Sequence, residues 1–105
     1  MADLRGELID RLKKLGVEHR PLPGRADGFA SLCYGGKTIA HFHNDNELDV
    51  RLTKAVIVRE GLIHPVGSIV HPNRTPKSHW IEVRFTAPAH LRRVVRLVKL
   101  AIEQI

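Results

Sequence analysis

The spacing of apolar residues changes from segment to segment along the chain. From Leu4 the intervals are three and four: Leu4, Leu8, Ile9, Leu12 and Leu15 form one stripe of an amphipathic helix. Asp3 stands at the N-cap position and Gly16 where such a helix ends. The segment "RPLPGRADG" that follows holds two prolines and two glycines and is expected to be a loop leading into a sheet.

From Phe29 the period becomes two. "FASLCY" and "KTIAHF" flank Gly35-Gly36, the pattern of a hairpin closed by a two-residue primed turn. A second hairpin runs through Asn44–Asn46 into "ELDVRL", and parity fixes its register, because a one-residue slip turns every side chain to the other face. A three-residue loop opposes His43 with Glu47, Phe42 with Leu48, His41 with Asp49 and Ala40 with Val50. Apolar residues then share one face, and histidines and carboxylates share the other. By the same parity Cys33 is expected on the apolar side.

Thr53 is placed to cap a short helix, "KAVIVREG", ended by Gly61, although the β-branched run Val56-Ile57-Val58 also suits a strand. Leu62 to Ser78 holds three prolines and a glycine and reads as an irregular loop of the kind that often carries function. "HWIEVRF" alternates, with Ile81, Val83 and Phe85 on one side and Trp80, Glu82 and Arg84 on the other. Pro88 opens a last helical run with Leu91, Val94, Val95, Val98, Ala101, Ile102 and Ile105. Leu97 and Leu100 widen that stripe, to rest on the first helix or bury against a second copy of the chain as a homodimer.

These elements predict a single α+β domain over residues 1–105: a three- to four-stranded, mainly antiparallel sheet with the N- and C-terminal helices packed on one face. The other face then displays Tyr34, Lys37, His41, His43, Glu47, Asp49, Arg51, Trp80, Glu82 and Arg84.

Composition narrows the function classes. No stretch is long and apolar enough for a membrane span, and the charged N-terminal run lacks the apolar core of a signal peptide, so the chain reads as a cytoplasmic protein. The single cysteine fits a reducing compartment and excludes both an internal disulfide and a multi-thiolate zinc site. No phosphate-binding loop, dinucleotide fingerprint or nucleophile-elbow motif is present, and no cofactor is implied.

Three readings of the polar residues follow. In the first the chain is a small binding or interaction module for a small ligand or protein partner, using His41, His43, Asp49, Arg51, Trp80 and Arg84 with His71 and the loop from His64 to Ser78. In the second it is a small, metal-assisted enzyme with His41 and His43 as ligands or bases and Asp49 as third ligand, since His-x-His on a strand points both imidazoles one way. Ordinary cross-strand pairing of histidine with carboxylate accounts for the same residues without a metal. The third reading is nucleic-acid binding. The chain carries 17 Lys and Arg against 11 Asp and Glu, and Arg92, Arg93, Arg96 and Lys99 line one flank of the last helix, with Arg74, Lys77, His79 and Arg84 elsewhere. An aromatic content of 5% leaves few platforms for base stacking.

The succession "IAHFH", "ELDVRLTK", "GLIHP", "SHWIEVRF" and a closing apolar helix resembles the small luciferase-family, or luciferase-domain, proteins over Phe29 to Ile105. His41 and His43 match that family's paired histidines, while His64-Pro65 and His71-Pro72 both suit its His-Pro. The resemblance implies no activity and carries over no catalytic residue. A looser likeness, in the order of elements, is to MmcQ/YjbR proteins, whose fold is linked with DNA binding; Gly36-Lys37, His71, Trp80 and the helix from Leu91 echo their pattern.

Overall fold

Asp3 caps the first helix, α1 (Leu4–Lys13), by accepting from the Gly6 N–H at 3.0 Å. Gly16, at φ +91°, ends the turn after it, with the Val17 N–H returned to the Leu12 carbonyl. A computed structural model of the chain describes residues 3–21, 24, 28–62 and 79–105. In chain order α1 is followed by β1 (Glu18–Pro21), β2 (Ala30–Tyr34), β3 (Lys37–Phe42), β4 (Glu47–Arg51), α2 (Lys54–Arg59), β5 (Trp80–Arg84) and α3 (His90–Glu103).

The strands form one antiparallel sheet in sequence order, so the sheet has five strands rather than three to four. The extra strand is β1, from the end of α1 into the segment expected to be a loop. It is an edge strand, short, with exposed charges and a terminal proline, features that discourage pairing with another chain. The segment from His64 to Ser78, expected to be a loop, and its His71, Arg74 and Lys77 lie outside the described residues.

The β3–β4 register is the one parity predicts: Ala40 opposite Val50, His41 opposite Asp49 and Phe42 opposite Leu48. The His43 N–H donates to the Glu47 carbonyl across the three-residue loop, and the Asn44 Oδ1 accepts from the Asn46 N–H to shape it. Gly35 and Gly36 both take positive φ, as the primed turn requires, and Tyr34 stands opposite Lys37.

Between these turns the β2–β3 ladder slips. Leu32 faces Ala40 but Cys33 faces Thr38, leaving Ile39 as the extra residue of a bulge. The slip moves Ile39 into the core and changes the parity of everything on β2 relative to β3. Tyr34, expected on the polar face, packs against the core cluster, and the site of a Gly16 Cβ lies 3.3 Å from its ring. Cys33 alternates with core-facing Leu32 and joins Ser31 on the other side; it is buried but lies outside the main cluster, 3.7 Å from the Thr38 hydroxyl.

One core cluster unites Leu8 and Leu12 of α1, Leu91, Val94, Leu97, Val98 and Ala101 of α3, and alternate residues of the strands, Phe42, Leu48, Val50, Ile81 and Val83 among them. Leu97 is fully buried and Leu100 partly buried against that cluster, so the stripe rests inside the domain.

Two caps differ from expectation. Thr53 precedes α2 as predicted but makes no side-chain cap; it sits at φ 70°, ψ 149°, where residues with a Cβ are strained. His79 serves instead: its Nδ1 accepts from the Lys54 N–H at 2.9 Å and its carbonyl accepts from Leu52 and Thr53. At α3, Pro88 lies just outside the helix, and the His90 Nδ1 accepts from the backbone of Thr86 and Ala87.

Candidate functional site

The face of the sheet turned away from the main core is not simply wet. Alternation places His41 and His43 of the β3 strand and its turn, Asp49 of β4, and Trp80 and Glu82 of β5 there together. His43, Asp49 and Glu82 are only 7%, 3% and 3% exposed. Buried ionisable groups are rare unless other polar groups satisfy them, which makes this the least ordinary part of the molecule.

Two subsites lie side by side. In one, the His41 ring stacks on Trp80 at 5.0 Å and 8° and on Phe29 at 5.4 Å and 25°, giving a column of three nearly parallel rings across the sheet. In the other, the His43 Nδ1 lies 3.3 Å from a Glu82 oxygen and 3.9 Å from one of Glu47, while its Nε2 is 3.9 Å from Asp49. The second Glu82 oxygen accepts from Arg84 at 3.4 Å. The two histidines of the His-x-His pair therefore do different things.

The structure brings together His41, His43, Asp49, Trp80 and Arg84 of the predicted residues. Arg51 is opposite Trp80 in register but exposed, and lines a separate hollow with Lys37, Thr38 and the end of α3. His71 lies outside the described residues. Sequence reasoning missed Phe29, Glu47 and Glu82 as site residues, although Asp49 and Glu82 fall opposite each other in the β4–β5 register, an acid against an acid that needs compensation.

The site is held from behind by Arg5 of α1. Its guanidinium lies 4.4 Å from the centre of the Phe42 ring and donates to the carbonyls of Gly28 and Asn44, so one side chain ties α1 to the approach to β2 and the β3–β4 turn. Gly28 sits at φ +85°, and a Cβ there would lie 2.7 Å from Arg5 and 3.3 Å from the Asn44 backbone. His19 of β1 meets the edge of the Phe42 ring at 6.2 Å. Its burial, then repulsion from Arg5 and Lys13, holds its pKa below the ordinary 6.5.

The basic flank of α3 is a second surface. Arg92, Arg96 and Lys99 join Arg11 of α1 and Lys14, its C-cap, around a groove of about 340 Å³ that Val95 also lines. Arg11 pairs with Glu7 at 2.7 Å and Arg96 with Glu60 at 2.9 Å, the latter contact keeping the Glu60 carboxyl below its usual range.

The sequence matches the luciferase-domain family over residues 36–101, well over half of the chain. The chain belongs to the luciferase-domain family. The match takes in the His-x-His strand, β4, β5 and most of α3, and so both subsites except Phe29. It gives no support to the looser MmcQ/YjbR likeness. No curated protein and no solved structure matches the chain. No helix among the described residues of this luciferase domain is long and apolar enough to cross a membrane.

Proposed function

We propose that this luciferase domain is a small-ligand binding module whose site is the sheet face of Phe29, His41, His43, Asp49, Trp80 and Glu82, with Arg84 at its rim. One observation carries the reading: a three-ring column stands beside three buried ionisable side chains on the face opposite the core. Apolar rings next to a few placed polar groups are the ordinary composition of a ligand site, and strands hold such groups more rigidly than loops. Burying that set costs stability that an apolar face would not, so the arrangement is better explained by recognition than by folding.

The test is a fragment library read by amide chemical shifts on ¹⁵N-labelled protein. Binders are expected to move Phe29, His41, His43 and Trp80. Shifts gathered in the α1–α3 groove, with the sheet face unmoved, would overturn the proposal and favour polyanion binding.

The histidine–carboxylate contacts support a second reading, a small enzyme. His43, held between Glu82, Glu47 and Asp49, has the surroundings of a general acid–base group. His41 is stacked between two rings and suits recognition instead. The enzyme reading requires that a ligand of this face be converted, and that His43→Gln bind it without turnover.

A further inference from the structure

Asp49 and Glu82 stand opposite each other on neighbouring strands, both buried, and His43 reaches them from the β3–β4 turn. The donor atoms converge more closely than side-by-side packing requires. His43 Nδ1 is 3.3 Å from Glu82 Oε1 and 3.9 Å from Glu47 Oε2, and one donor atom from each of His43, Glu47 and Glu82 lies within 4.8 Å of the other two. Atoms bound to one ion at about 2.1 Å lie about 3.0 Å apart when cis on an octahedron, about 3.4 Å on a tetrahedron, and at most about 4.2 Å. Both distances from the imidazole fall in this range, and Glu47, its side chain 22% exposed, is the least buried of the three.

The geometry points to a divalent transition-metal site formed by His43 Nδ1, Glu47 and Glu82. Asp49 faces the other ring nitrogen and takes the role of the carboxylate that orients a metal-bound histidine and fixes its tautomer. One imidazole and two carboxylates, without thiolate, suit zinc, manganese or ferrous iron. The ligand set differs from His41, His43 and Asp49: His41 belongs to the ring column, and Asp49 acts behind His43. Three protein ligands leave positions on the ion for a ligand atom beside the column. This deepens the binding reading and rests on it for the choice of face.

The experiment titrates the chelator-stripped 105-residue chain with Zn²⁺, read by calorimetry and by histidine side-chain ¹⁵N shifts. One ion per chain is expected, moving His43 at Nδ1 and leaving His41 nearly still. Glu47→Gln weakens binding about tenfold or more, and Asp49→Asn about tenfold with the stoichiometry kept. Glu47 is the first choice for substitution because it is the least buried ligand, so its variant is expected to fold even if Glu82→Gln does not. Failure to take up Zn²⁺, uptake unchanged by Glu47→Gln, or a response centred on His41 overturns the site. If Zn²⁺ fails while fragments still move Phe29, His41 and Trp80, the metal site alone is wrong. If Zn²⁺ binds and no fragment does, the organic-ligand reading alone is wrong.

Discussion

The two faces of the sheet are made from alternating residues of the same strands, yet they solve different problems. Phe42 faces α1 and α3 and is fully buried among apolar groups, whereas its neighbours His41 and His43 enter a ring column and a carboxylate cluster. The apolar face gains stability from every methylene it hides. On the other face each buried charge loses hydration and must recover it from neighbours placed at fixed distances. Substitutions on the first face should therefore change how firmly the domain folds, and those on the second chiefly what it binds.

The sharpest break of this contrast is Phe42→Ala. It empties a fully buried ring position and removes the contacts with Phe85, His19 and Arg5, so we expect a loss of about 3–5 kcal/mol by urea denaturation. Glu82→Ala removes a buried partner of His43 and Arg84 and should cost about 1–3 kcal/mol. Fragment binding should vanish in Glu82→Ala and survive in any core variant that stays folded. Gly28→Ala probes the tie between the faces. The new Cβ would press on Arg5 and the Asn44 backbone at positive φ, for an expected loss of about 1–3 kcal/mol in the same assay.

Thr53→Gly works in the opposite sense. It relieves a conformation costing about 1–3 kcal/mol and adds about 0.5–1 kcal/mol of chain entropy, a net gain of about 1 kcal/mol.

The smallest effect is set by pH at His19. Its folded-state pKa is lowered, so the unfolded chain binds the proton first as pH falls through 6.5. Stability is full above that value and declines below it until the folded-state imidazole protonates too. Urea midpoints from neutral to mildly acidic pH should show the decline, and His19→Gln should flatten it.

Much of this was legible in the residues, and the failures have local causes. The β3–β4 register followed from parity because the stretches that pair, Ala40–His43 and Glu47–Arg51, alternate strictly. β1 was hidden because an edge strand needs little apolar pattern, and "EHRP" offers none. The bulge at Ile39 leaves only a pair of adjacent apolar residues, Ile39-Ala40, as its trace, and so simple parity puts Tyr34 and Cys33 on the wrong faces. Arg5 had a signal: it lies three and seven residues before Leu8 and Leu12, in phase with the buried stripe, where a charge must find partners. Phe29, of the same parity as Cys33 on the approach to β2, was hidden by the same bulge. Glu82 falls on the polar face by alternation, but its contact with His43 shows only once β5 is known to pair with β4.

The most direct test of the central claim compares two substitutions in one binding assay. A fragment found by the amide-shift screen is titrated against Trp80→Ala, which removes one end of the ring column, and Arg92→Ala, which removes a cation from the α1–α3 groove. The account predicts that Trp80→Ala weakens binding about tenfold, as expected for loss of a ring contact of about 1–1.5 kcal/mol, and that Arg92→Ala leaves it unchanged. The reverse pattern, with Trp80→Ala silent and Arg92→Ala defective, would contradict it.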